Sequence, residues 1–145
     1  MSSQNFKNHA QIVPAFHYFF SVLALVAAVF SFLKLFRSYQ TGLTGLLVPA
    51  TLVLLTVAVL MAGFFSRSFA LKAQDRAIRA EESLRYFAIT GNLPDAKLTI
   101  KQFVALRFAP NNELVDLAHR AANENLSAKQ IKEAIVHWRA DEYRV

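Results

Sequence analysis

Residues 38–66 read SYQTGLTGLLVPATLVLLTVAVLMAGFFS, a run without a single Lys, Arg, Asp or Glu. A second run with the same property, NHAQIVPAFHYFFSVLALVAAVFSFL, occupies residues 8–33. Each exceeds the roughly 20 apolar residues that carry a helix across a hydrocarbon core about 30 Å thick. A core helix of a water-soluble protein rarely goes so far without charge on any face. Before Arg67 the only charged side chains are Lys7, Lys34 and Arg37, and the first acidic residue is Asp75. The first half therefore reads as a transmembrane hairpin and the second half as a part that faces water.

Working outward, residues 1–13 form an N-terminal segment and residues 14–65 the hairpin. Span 1 covers about 14–35. Pro14 suits its first turn, where a missing N–H is harmless, and Phe16, His17, Tyr18, Phe19 and Phe20 form an aromatic belt at headgroup level. A link from Arg37 to Gly42 leads to span 2, about 43–65, in which Pro49 is expected to kink or loosen the early turns. The first span is longer than a signal-peptide core and is read as retained. Lys34 and Arg37 flank the link, against Lys7, Arg67, Lys72, Arg76, Arg79 and Arg85 on the other side. Basic residues favour the cytoplasm, so both termini are expected there.

The helical period continues over 66–90, supported by acid-first pairs at Asp75–Arg79 and Glu81–Arg85, and stops at Gly91, Asn92 and Pro94. Residues 91–145 read as a small helical domain. Two of its helices open with matching text, Leu98-Thr99-Ile100-Lys101-Gln102-Phe103 and Leu126-Ser127-Ala128-Lys129-Gln130-Ile131. Each has the form of a capping box with a hydrophobic staple. A middle helix starts near Asn111 with Leu114, Leu117, Ala118 and Ala121 on one face, and Ile131, Ile135 and Trp138 form a stripe on the last. Leu98, Phe103, Leu106, Leu114, Leu117, Ile131, Ile135 and Trp138 are expected to share one core closed against the helix after span 2.

Net charge is +6, most of it in and beside the apolar half, while residues 91–145 carry only +1. That balance argues against nucleic acid, which calls for a basic face. The chain has no cysteine, so it has no disulfide, thiolate ligand or cysteine nucleophile. His9, His17, His119 and His137 show no metal-site spacing; Glu133–His137 reads as a surface pair on a helix. There is no phosphate loop or nucleophile elbow, and no catalytic, cofactor or metal residue is assigned. The spans lack the intramembrane charge that usually marks an ion path.

One constellation remains. Thr56, Val59, Gly63, Ser66, Ala70, Ala73, Ala77, Ala80, Leu84 and Phe87 recur at steps of three and four, a heptad seam with a small-residue centre. Gly63, Ser66, Ala70, Ala73, Ala77 and Ala80 let a helix approach closely, either from the chain's own terminal helices or from a second copy. Arg67, Lys72, Arg76 and Arg79 form a basic flank suited to anionic lipid.

Several segments together resemble a family of uncharacterised bacterial two-span membrane proteins known only as a domain of unknown function. They are Phe6-Lys7-Asn8-His9, Val13 to His17, Ala70 to Arg76, Ile78 to Glu82, Ala105 to Ala109, and the end around Trp138, Arg139, Asp141, Arg144 and Val145. The resemblance implies a bacterial membrane setting and a two-span layout, with no activity attached. The expectation is an all-α integral membrane protein: a transmembrane hairpin plus a cytoplasmic helical domain in the bacterial inner membrane. Its expected role is that of a non-enzymatic interaction or scaffold module. The alternatives are a small holin-like pore and, third, an enzyme acting on lipid. The expected partners are the lipid bilayer and either a second copy or another membrane protein, with no cofactor.

Overall fold

The computed structural model describes residues 4–6, 13–39 and 42–141. Lys7 and His9, part of the link before Gly42, and Arg144 and Val145 lie outside the described residues. The fold is all-α, with no strand among the described residues. The chain divides into two compact units, one of Ile12–Phe69 and one of Ala70–Val145 together with Met1–Gln11.

In the first unit Pro14 is already helical, and a π-helical segment follows over Ala15–Phe20 before α1, Ser21–Ser38. The wider π turn stacks Phe16 on Phe20, with centroids 5.4 Å apart, and the Ser21 hydroxyl donates to the Phe16 carbonyl at 3.1 Å. The second long helix, α2, spans Gly42–Thr90 and continues through Pro49, whose ring is fully buried. Where α1 meets α2, the Ser31 and Thr56 hydroxyls lie 3.2 Å apart. Each also donates to the carbonyl four residues back, so neither polar group enters the apolar contact unsatisfied. At Gly63 the packing is tight: a Cβ there would stand 2.5 Å from the tip of the Phe20 ring. The outer faces are bare: Phe19, Phe36 and Leu54 are exposed, and only 6% of each helix's apolar window is buried within the chain. Both helices are long and apolar enough to cross a bilayer.

The second unit begins with the end of α2. Gly91 terminates that helix with φ +74, and its N–H donates to the Phe87 carbonyl at 2.8 Å. Glycine takes this left-handed turn without the steric cost other residues meet. Three short helices follow: α3, Ile100–Leu106, α4, Asn111–Asn123, and α5, Ala128–Ala134. Both α3 and α5 open with complete capping boxes, Thr99 with Gln102 and Ser127 with Gln130. Gln102 also reaches inward. Its amide donates to the carbonyls of Ala121 at 3.0 Å and Leu126 at 2.9 Å, satisfying the end of α4 from inside the core. Around it lie Leu98, Phe103, Leu106, Leu114, Leu117, Ile131 and Ile135, all buried, with Tyr86 contributed by α2. Trp138 is half-buried, 4.9 Å from Phe108. Phe108 is the largest fully buried side chain, and its place in the core was not expected from its position past the end of α3.

The expected last helix through Trp138 stops at Ala134. Ile135 is extended, with φ −72 and ψ 121. The backbone donors that would have continued the helix go elsewhere: the Val136 and His137 N–H groups to the Glu113 carboxylate at 2.9 and 3.0 Å, and the Arg139 N–H to the Phe108 carbonyl at 2.8 Å. Tertiary acceptors have replaced the helical ones.

The two capping boxes provide an internal comparison. Gln130→Ala removes an exposed cap alone and should cost about 0.5–1 kcal/mol. Gln102→Ala also orphans two carbonyls and should cost about 2–3 kcal/mol in denaturant unfolding of the full chain. Equal losses would show that the inward amide contributes nothing. In the first unit, Gly63→Ala must displace the Phe20 ring. We expect a destabilisation of about 1 kcal/mol, at the low end for overpacking because a ring tip can swing. It should be relieved in the Phe20→Ala background, read from thermal unfolding in detergent.

Candidate functional site

The seam residues part company in the structure. Gly63 and Thr56 pack on the helix before them, against Phe20 and Ser31. Ser66, Ala73, Ala77 and Ala80 are exposed, and Ala70 is half-buried. The face of α2 that enters the second unit's core carries Ile78, Glu82 and Tyr86 instead. At about 100° per residue, Glu82 lies some 140° around the helix from Ala77. The chain's own short helices therefore close on nearly the opposite side of α2 from the small-residue seam.

The basic flank also divides. The Arg67 guanidinium lies 6.0 Å from the Phe16 ring centroid, and that of Arg79 lies 5.7 Å from the Phe103 centroid. Each partly shields an aromatic of its own unit. Lys72 and Arg76 are exposed.

The site that local sequence patterns did not reveal is a charged cleft of about 350 Å³ in the second unit, lined by Ile78, Glu81, Glu82, Arg107, Arg139 and Asp141. Its floor is Glu82, on the buried face of α2 at 6% exposure. A carboxylate so far from water needs paired charge. One oxygen accepts from Arg85 Nη1 at 2.8 Å, and the other stands 3.5 Å from Arg139 Nη1. Arg85 is fully engaged. Its Nε donates to Asn111 Oδ1 at 2.8 Å and its Nη2 to the Ala109 carbonyl at 2.6 Å. Burial pulls the Arg85 guanidinium down from its ordinary value; Glu82 opposes this, and the like charge of Arg139 adds to it. At the cleft wall Arg107 Nε meets Asp141 Oδ2 at 3.1 Å, over the face of Phe108. The Asp141 N–H donates to the Gln4 side chain at 2.8 Å, which ties the N-terminal segment to the tail.

Two expected pairs are corrected. Glu81 does not hold Arg85; Glu82 does, at spacing i, i+3, because Glu82 shares the buried face. Glu133 and His137 are not paired on a helix. Glu133 is 3.8 Å from Lys129, while His137 Nδ1 reaches Glu113 at 2.9 Å. Glu113 thus clasps the tail with both oxygens. His119 is exposed, and its Nε2 stands 3.2 Å from the Tyr86 hydroxyl.

Chemically, the cleft is built on ion pairs, with Glu81 alone of its three carboxylates unpaired among the described residues. Glu82 and Asp141 are already paired with guanidinium groups, and among the described residues no histidine or hydroxyl nucleophile lines the cavity. Among the described residues no three metal-ligating side chains come together. The arrangement joins α2, the α3–α4 connection, the tail and the N-terminal segment. No local period could have revealed it, since its members come from four separate stretches. The signal that was available lies in the segments that carry the family resemblance: Ile78 to Glu82, Ala105 to Ala109, and Trp138 to Asp141 all meet here.

Comparison with known protein families matches residues 1–145 to a family of unknown function (DUF6526), and the chain belongs to that family. No curated protein and no solved structure matches it.

The clasp has a defined pH dependence. Burial alone would raise the Glu113 carboxyl, but hydrogen bonds from the Val136 N–H and from the His137 ring and backbone outweigh it, and the group sits below the ordinary carboxylate range. A carboxyl depressed by folding adds stability above its unfolded value, and that stability is lost as pH falls through the depressed folded value. Glu113→Gln should therefore be less stable than the parent at neutral pH, with the gap closing through the acid carboxylate range. A constant gap across that range would overturn the clasp. For the cleft, Glu82→Gln leaves Arg85 and Arg139 without their shared counter-charge and should cost about 3 kcal/mol in chemical denaturation.

Proposed function

We propose that this DUF6526 member is a bilayer-anchored, non-enzymatic interaction module, held in the bacterial inner membrane by two spans with both termini in the cytoplasm. The observation that carries the reading is the bareness of the apolar helices. A soluble protein with such helices buries them in its core, yet here only 6% of each apolar window is buried. Water would not tolerate that surface, and lipid would. Two features support an interaction role over catalysis: the second unit has a core of its own, and two of the three carboxylates of its cleft, Glu82 and Asp141, are committed to ion pairs. The basic flank supports the orientation and an attraction to anionic lipid of about 1 kcal/mol per residue near the surface.

Alkaline carbonate should leave the chain in the membrane pellet, and its release to the supernatant would overturn the anchoring. The orientation is read with introduced cysteines and a membrane-impermeant maleimide. In intact cells Tyr39→Cys should label and Asn92→Cys should not, until the cells are opened. The reverse pattern would invert the orientation.

A further inference from the structure

We infer that the exposed face of α2 beyond residue 69 is the surface on which a second copy of this chain docks, helix against helix and in parallel. The face runs through Ala73, Ala77, Ala80, Leu84 and Phe87. The three alanines are exposed, and so are the two larger side chains, Leu84 at 68% and Phe87 at 47%. The spacing is that of alternating a and d positions in a coiled coil. Alanines at the centre let two backbones come close, and Leu84 and Phe87 supply the apolar area that alanines lack. The buried face with Ile78, Glu82 and Tyr86 lies on the other side of the helix, so docking here leaves the core of the second unit undisturbed.

The flanks of the seam select the occupant. With Ala77 and Leu84 at a, and Ala73, Ala80 and Phe87 at d, Arg76 falls at a g position and Glu81 at the following e position. In a parallel pair, a g residue faces the e residue five further along the partner, and Arg76 to Glu81 is that interval. Two copies in register therefore form two identical Arg76–Glu81 pairs, one on each side. An antiparallel pair would set g against g and e against e, so that neither Arg76–Glu81 pair could form. Both side chains are exposed, and neither makes an ion pair or hydrogen bond among the described residues. This deepens the bilayer-anchored reading and rests on it in one respect: copies inserted in the same orientation bring α2 to its partner in parallel.

The test uses the full chain, which has no cysteine of its own. Single substitutions Ala77→Cys and Ala80→Cys on the seam, and Lys72→Cys off it, are oxidised mildly in native membranes. The seam cysteines should form disulfide-linked dimers several times faster than Lys72→Cys. In the Ala77→Cys chain, Arg76→Glu or Glu81→Arg alone should weaken dimerisation by roughly 5–10-fold, since each turns two attractions into two repulsions, and the double exchange should restore it. Equal crosslinking on and off the seam overturns the surface. A gain on Arg76→Glu alone, or a double exchange that fails to restore crosslinking, overturns the parallel register. Carbonate extraction of the same membranes separates the two readings. A chain retained in the membrane but not crosslinked refutes this inference alone, whereas a chain released from the membrane refutes the anchoring.

Discussion

A carboxylate at 6% exposure, Glu82, sits on the face of α2 that enters the core of the second unit. Removing that charge from solvent is costly unless guanidinium groups and further hydrogen bonds surround it, and the second unit is arranged to provide them. Arg85, one turn along α2, neutralises Glu82 and uses its remaining donors on the Ala109 carbonyl and Asn111, which sets the turn between α3 and α4. Arg139 approaches from the tail, and Arg107 is matched by Asp141 at the cleft wall. The hydrophobic core beside this network holds Phe108 at its centre. The ring lies under the Arg107 guanidinium and 4.9 Å from Trp138. Polar and apolar contacts therefore select the same chain path.

The tail follows from the same competition for hydrogen-bond partners. Ala128–Ala134 is a capped helix of good formers and has no glycine or proline to end it. It ends because Glu113, on the first turn of α4, offers two carboxylate oxygens to the Val136 and His137 N–H groups, and charged acceptors bind N–H groups more strongly than carbonyls do. Released from the helix, the segment from Ile135 runs on without regular structure and brings Arg139 and Asp141 to the cleft.

α2 faces different neighbours along its length. Near Gly63 the absence of a side chain admits the Phe20 ring, which any Cβ would push away. Beyond residue 69 the same heptad line carries alanines that stay exposed, while the opposite line of Ile78, Glu82 and Tyr86 is buried. One periodic stripe thus meets two environments, packed near Gly63 and exposed beyond residue 69, which period alone does not separate.

The all-α class, the two long apolar helices, the stop at Gly91, both capping boxes and most of the core were legible in the sequence. Each depends on interactions between residues a few positions apart, or on the bulk polarity of a whole segment. Helix caps span three residues, amphipathic stripes repeat every three or four, and an uncharged run of more than 20 residues excludes water whatever its partners are. What only the tertiary structure decided was the choice of partner. That Arg85 pairs with Glu82 instead of Glu81, that Glu113 ends α5 from 23 residues away at Val136, and that the cleft draws on four stretches of chain all depend on which faces are buried together. Burial decides which charges must be paired, and it is a property of the folded chain that no local spacing encodes.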